Sequence, residues 1–262
     1  MKRSYDVLQS SGKGKGRQCA GKVTRAMIIR HDRSDRDSLV DEEQWPALTS
    51  FFRGHGGASL IAPTWLLTAA HIAEIIPTEV RLSVELAGKR YAIAHTFLHP
   101  AYDREWEAGE EDDENNTVDL ALVELEAPVE NVLPFDLYDR SDEQGQEVLL
   151  LGRGECGNGI RGARGSDRAL RQVTNQIDKV DSYWLKLRFD APPNGTKLEG
   201  VCGRGDSGGP AFIQSAHRFF LAGVSSWQQL GDRPLGTYGC IEHYTRVSCF
   251  IDWIQSTCGL RS

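Results

Sequence analysis

The stretch Gly205-Asp206-Ser207-Gly208-Gly209-Pro210 sets a serine hydroxyl on a tight turn flanked by glycines. An isolated serine is a poor nucleophile, because its hydroxyl stays protonated near neutral pH. It needs a base beside it and donors for the oxyanion formed when it attacks a carbonyl. Gly205 and Ser207 each offer a backbone N–H for that oxyanion, and a residue without Cβ before the nucleophile keeps the approach open. A base is offered by Thr68-Ala69-Ala70-His71, which follows the apolar Trp65-Leu66-Leu67, read as a buried strand end. A third group stands in Asn116-Thr117-Val118-Asp119-Leu120-Ala121-Leu122-Val123, where one carboxylate sits inside an apolar strand. A buried charge costs several kcal/mol unless paired, so Asp119 is a candidate for holding an imidazole in one tautomer. Read this way, His71, Asp119 and Ser207 form an acyl-transfer centre that only a fold can assemble.

In this order and in these contexts, the three segments resemble the chymotrypsin-like (trypsin family) serine proteases. Further matching segments are Gly57-Ala58-Ser59-Leu60-Ile61, Ser226-Trp227, Tyr244-Thr245-Arg246-Val247 and a closing Phe250-Ile251-Asp252-Trp253-Ile254. The resemblance covers about residues 28–258. It implies Ser207 as nucleophile, His71 as general base and then acid, Asp119 as its buried partner, and Gly205 with Ser207 as the oxyanion hole. It also implies that Ser226 and Trp227 line the edge strand on which a substrate backbone pairs. No cofactor follows from it. An intact set of these residues argues against the alternative, a pseudoprotease that keeps the fold as a binding module without turnover.

The elements that must position these groups are legible in outline. The chain has 262 residues, abundant Gly, and short apolar runs between turn signals, with helical periodicity only near the C-terminus. That pattern favours an all-β barrel or sandwich. The family fold implied is two six-stranded antiparallel β-barrels around a catalytic cleft, with a short C-terminal α-helix. The expected division is a basic tail over 1–25 and a protease domain over 26–262. Within it, the first barrel covers about 26–145, the second about 146–248 and the helix about 249–258.

The specificity pocket departs from the trypsin pattern. Six residues before the nucleophile stands Val201, or Gly200 if Gly203-Arg204 after Cys202 is a one-residue insertion, and neither alignment supplies the usual aspartate of the pocket floor. Glu242, two residues before Tyr244, enters the pocket in the resemblance. It is expected either to serve as the counter-charge for a substrate Lys or Arg, or to pair with Arg204. Gln228 replaces a glycine of trypsins and is expected to narrow the entrance. The acidic loop over 103–114 either steers a basic partner towards the cleft or is only a solvated flap.

Asp206 is the residue that, in the family, receives the amine freed when a zymogen is cut. The nearest candidate cut follows Arg25, ahead of Ala26-Met27-Ile28-Ile29, unless residues 1–25 are only a flexible tail. The Gly- and Arg-rich loop over 159–171 is a candidate autolysis site. A net charge of −7 argues against non-specific nucleic-acid binding, and no run approaches a membrane span. The resemblance implies protein or peptide substrates, basic ones among them, as partners. Met1-Lys2-Arg3-Ser4-Tyr5-Asp6-Val7-Leu8 has no apolar leader, from which a cytoplasmic location is expected, with secretion only if a leader is missing. That location in turn suggests a regulated protease that cuts one protein partner. The six cysteines lack zinc-ligand spacing, so no metal is expected. The resemblance implies a Cys202–Cys240 bridge, but shifted spacing leaves the pair open. His31, His55, His95, His217 and His243 fall in no motif and are read as surface or loop residues.

Overall fold

The computed structural model describes residues 27–77, 82–105 and 117–260. The tail over 1–25 and most of the acidic loop lie outside the described residues. Strand β1 (Met27–Ile29) opens the described chain, and β2 (Leu48–Ser50), β3 (Gly57–Ala62) and β4 (Trp65–Thr68) follow. A short helical turn, α1 (Ala70–Ala73), precedes β5 (Ser83–Leu86), β6 (Lys89–Leu98) and β7 (Ala121–Leu125). Strands β2 to β7 form one six-stranded sheet in the order β2-β3-β4-β7-β6-β5. Thr49 on β2 donates Oγ1 to the Glu85 carbonyl on β5 at 2.7 Å, tying the last strand back to the first.

Local sequence explains these strands. Ser83–Leu86 alternates exposed and buried residues, as a half-buried strand requires. It turns into β6 through Ala87 and Gly88, both at positive φ, a two-residue hairpin that a glycine accommodates well. Trp65–Thr68 is buried throughout, in keeping with its place between β3 and β7.

The second half contains β8 (Asp136–Leu137), β9 (Glu147–Gly152), β10 (Cys156–Asn158), β11 (Gly162–Ala163), β12 (Arg171–Gln176) and β13 (Lys179–Val180). These are followed by β14 (Trp184–Arg188), β15 (Gly200–Val201), β16 (Pro210–Ser215), β17 (Arg218–Gln229) and β18 (Ile241–Arg246). The barrel-like sheet runs β12-β9-β16-β17-β18-β14-β13, with β8 added in parallel to β17. Helix α2 (Ile251–Cys258) closes the fold, preceded by a 3-10 turn over Val247–Phe250, and stops where Gly259 takes a φ of 65°.

Two boundaries differ from the sequence reading. Met27–Ile29, expected in the first barrel, pairs in parallel with Cys156–Asn158 and antiparallel with Gly200–Val201, within a four-stranded sheet of the second half. Likewise Asp136-Leu137 already belongs to the second sheet, ahead of the expected start at 146. Both segments pair with partners more than eighty residues away, and a local pattern carries no information on such partners.

The halves are joined by core packing. Leu60, Leu66 and Leu122 of the first sheet share one apolar cluster with Phe212, Leu221 and Ile254. Trp45 stacks on Phe212 with ring centroids 5.5 Å apart. No helix among the described residues is long and apolar enough to cross a membrane.

Candidate active site

His71 leaves β4 on the turn α1, after Ala69 and Ala70, which are fully buried and small enough to leave room for the ring. Its backbone N–H donates to Asp119 Oδ1 at 2.9 Å, and its Nδ1 lies 2.7 Å from Asp119 Oδ2. Asp119, 1% exposed, lies on the extended run leading into β7. It takes a third bond from Ser226 Oγ at 2.5 Å, while Thr245 Oγ1 donates to its carbonyl at 2.8 Å. Three donors on one buried carboxylate explain why it stays ionised. Burial pushes its pKa up, and the His71 charge with the bonds from His71 and Ser226 outweigh that, leaving it below the ordinary value. Burial pushes the His71 ring down, and Asp119 outweighs it, so the imidazole is more basic than usual.

Ser207 is carried to this pair by close backbone packing. Gly56 donates to the Gly205 carbonyl at 2.8 Å and Gly57 to the Ser207 carbonyl at 2.7 Å. Gly208, at φ 78°, has no room for a side chain: a Cβ there would stand 2.3 Å from Thr68 Oγ1 and 2.4 Å from the Gly57 carbonyl. The nucleophile loop therefore rests on the end of β4, three residues before His71. Among the described residues, the amides of Gly205 and Ser207 donate to no group, and no hydrogen bond joins the Ser207 hydroxyl to the His71 ring. Catalytic hydrogen bonds are often long before substrate arrives.

A pocket of about 110 Å³ opens beside Ser207, and Cys202, Ser226, Trp227, Gln228 and Glu242 contribute to its lining. Val201, the other expected lining residue, is fully buried on β15 and faces a separate cluster with Ile28, Phe189 and Cys240. Glu242 is 2% exposed and bonds Gln228, not Arg204. Burial drives its carboxyl up to about 8, although the Gln228 bond pulls the other way. Gln228 does more than narrow an entrance. Its Nε2 donates to the Cys202 carbonyl at 2.7 Å and to Glu242 Oε2, and its Oε1 accepts from Gly236 N at 3.1 Å. The side chain thus links two walls and the acid of the pocket.

Asp206 is 1% exposed and accepts from Gly154 N at 2.6 Å and Gly203 N at 2.8 Å. Burial raises its pKa to about 6. Met27 lies close by: a Cβ built on Gly152 would meet both Asp206 Oδ1 and Met27 Sδ, at 2.0 and 2.9 Å.

Several expectations change. Cys202 and Cys240 are both free, and Cys202 Sγ instead lies 2.9 Å from the Tyr244 hydroxyl. His243, read as a surface or loop residue, is fully buried on β18 and stacks on Trp227 at 3.9 Å, where burial pushes its pKa down to about 3. Sequence reasoning placed Ser226 only on the substrate edge and missed its bond to Asp119.

Comparison with known proteins sets this geometry in a family. A model of the trypsin family matches residues 36–254. Serine protease SP24D of Anopheles gambiae is 30% identical over 258 residues, covering 90% of this chain and 85% of the relative. Complement C1s subcomponent of Rattus norvegicus is 28% identical over 242 residues, covering 82% of this chain. The chain spans only 34% of the length of that complement protein. Neuropsin, a serine protease expressed in the limbic system of mouse brain, shares the fold with a TM-score of 0.66 at 19% identity, over 84% of this chain and 98% of neuropsin. The cytoplasmic location expected from residues 1–8 is corrected by these relatives, since complement C1s and SP24D are secreted, extracellular proteases. The expectation rested on the first residues given, and these say nothing of what precedes them. With the matched model, the shared fold and the cleft holding His71, Asp119 and Ser207, the chain belongs to the trypsin family of serine proteases.

Proposed function

We propose that the protein is a serine endopeptidase that cuts peptide bonds through an acyl-enzyme. The observation that carries this reading is the buried Asp119 carboxylate bonded to His71 Nδ1 at 2.7 Å, with the Ser207 loop packed on the same strand end. Nδ1 is engaged by Asp119, so Nε2 is the ring nitrogen left to take a proton. Ser207 Oγ attacks the scissile carbonyl while His71 Nε2 accepts its proton. The amides of Gly205 and Ser207, free of internal acceptors, stabilise the oxyanion. Collapse of the adduct expels the amine with the proton from His71 and leaves an ester on Ser207. Water, deprotonated by His71, then hydrolyses that ester and regenerates the hydroxyl. Asp119 keeps the imidazole in one tautomer and stabilises its charged form.

Glu242 favours a Lys or Arg side chain before the cut bond. A buried carboxyl held by a neutral amide gains most from an arriving cation, which replaces the missing counter-charge. A second reading, a protease fold that binds without turnover, draws on Gln228 lying across the pocket. A fluorophosphonate probe separates the two: the endopeptidase labels on Ser207 and Ser207→Ala does not, whereas absence of labelling in both proteins leaves the binding module standing. Peptide profiling of wild type and Glu242→Gln tests the preference. Loss confined to Arg and Lys substrates supports it, and equal loss on all substrates ends it.

A further inference from the structure

Beside the pocket of Ser207 lies a larger cavity of about 500 Å³, to which Arg161, Arg164 and Arg204 all contribute. The two cavities share Arg204 and Leu235 as common wall, so a peptide seated at Ser207 passes the mouth of the second. None of the three arginines has an ion-pair or side-chain hydrogen-bond partner among the described residues. Among the described residues Glu155 is the one carboxylate in the lining, leaving three guanidiniums against one negative charge, in a chain whose net charge is −7. Unpaired arginines of like charge repel one another, so their convergence is a cost that an anionic guest removes.

The walls are held in place by backbone bonds. Glu155 N donates to the Arg204 carbonyl at 2.7 Å, Arg164 N to the Cys156 carbonyl at 2.6 Å, and Ala163 N to the Leu235 carbonyl at 3.2 Å. Gly162, at φ 66°, lets the loop approach: a Cβ there would lie 2.5 Å from the Leu235 carbonyl. Three chain segments, around 155–165, 204 and 235, are thereby fixed to one another around the cavity.

We propose that this cavity is a substrate subsite for a carboxylate side chain close to the cut bond, read by Arg161, Arg164 and Arg204. The assignment rests on the endopeptidase reading, since it places a bound peptide at Ser207. Together with Glu242 it describes a substrate with a basic residue before the cut and an acidic residue within a few positions of it. Guanidinium suits this task, because its planar fork matches a carboxylate in two parallel hydrogen bonds.

The test uses the full chain, both uncut and cut after Arg25, and peptides with Arg before the cut bond, in which Asp or Asn is scanned over three positions on each side. Wild type is expected to cleave at least one Asp peptide roughly fivefold faster than its Asn twin, the gain from about one exposed charge pair. In Arg161→Gln/Arg164→Gln that ratio falls to about one, while Asn peptides are cleaved as by wild type. Arg161→Lys/Arg164→Lys retains part of the ratio and shows that the double variant is not simply misfolded. If peptides are cleaved but the ratio is one at every position, or survives the Gln substitutions, the subsite is overturned and the endopeptidase reading stands. If no peptide is cleaved by any protein, uncut or cut after Arg25, and a fluorophosphonate leaves Ser207 unlabelled in both forms, the endopeptidase reading falls. The cavity is then read by fluorescence anisotropy of the same labelled peptides on Ser207→Ala: tighter binding of an Asp peptide, abolished by the Gln pair, supports it, and equal binding ends it.

Discussion

Ser226 and Asp119 stand on different barrels and are joined by one hydrogen bond, Ser226 Oγ donating to Asp119 Oδ2 at 2.5 Å. Thr245, also on the second barrel, holds the carbonyl of the same residue at 2.8 Å. The carboxylate that orients His71 is therefore fixed from across the cleft. The two halves meet here at a polar contact, as they do in the apolar core where Trp45 stacks on Phe212.

Replacing Asp119 with Asn leaves a neutral group that accepts poorly from an imidazolium. Activity is expected to fall by about four orders of magnitude, the loss that this exchange causes in the template enzyme of the triad. The pH profile carries the more specific signature. His71 works as a base when neutral, and its pKa is held above the usual value by Asp119. The acid limb of kcat/KM in wild type thus lies above pH 6.5, and in Asp119→Asn it moves to lower pH. An acid limb that stays in place would show that another group governs it.

How much of this was legible in the sequence depends on whether the information is local. Ser207, His71 and Asp119 were readable only together, because glycines on a turn, alanines before a histidine and a charge amid apolar residues are each weak signals alone and strong in the order His, Asp, Ser. Glu242 was readable as a pocket acid only through the family resemblance, which gives that place to the residue two before Tyr244. The bond from Ser226 to Asp119, 107 residues apart, was not, since either serine of Ser225-Ser226 offers the same local signal. Met27–Ile29 is apolar enough for any buried strand, and its pairing with Cys156–Asn158 is fixed only by the tertiary fold. The bonds of Gln228 were hidden for the same reason. Its partners come from three separate segments, at 202, 236 and 242.

Gln228 holds the pocket of Glu242 in a bridged form. A basic side chain that enters must displace its amide from Glu242 and from the Cys202 carbonyl, each bond worth about 1 kcal/mol net. Gln228→Gly removes the obstacle and leaves the carboxyl waiting for a cation. Catalytic efficiency on Arg substrates is expected to rise roughly tenfold, through KM more than kcat. Steady-state kinetics on Arg and Leu peptides check this. An unchanged KM for Arg would mean that Gln228 is a passive wall.

Benzamidine offers a direct reading of Glu242. The pocket carboxyl holds its proton until about pH 8, and a cationic guest binds best to the carboxylate. Bringing in the cation therefore expels a proton. The affinity is expected to rise about tenfold per pH unit towards pH 8 and then level off. Glu242→Gln should bind weakly with no such slope. Calorimetry in two buffers of different ionisation heat would register the released proton, and a flat affinity between pH 6 and 8 in wild type would exclude Glu242 as the receptor.

Asp206 carries the last prediction, that cleavage near Arg25 activates the enzyme. Its folded-state pKa of about 6 stands above the ordinary 3.8, so the folded chain binds that proton more tightly than the unfolded chain. Stability is then lost as pH rises from about 4 to about 6, by about 3 kcal/mol for this group. An α-amine freed beside Met27 would arrive next to the buried carboxylate, pair with it and bring its pKa down, so the loss disappears. Thermal unfolding from pH 4 to 7 should show a falling Tm in the uncut protein, and a flatter profile both in Asp206→Asn and in material cut near residue 26. N-terminal sequencing of the active fraction should return a start between Ala26 and Ile28. Full activity from protein that still begins at Met1 would separate Asp206 from activation altogether and leave its burial a matter of packing alone.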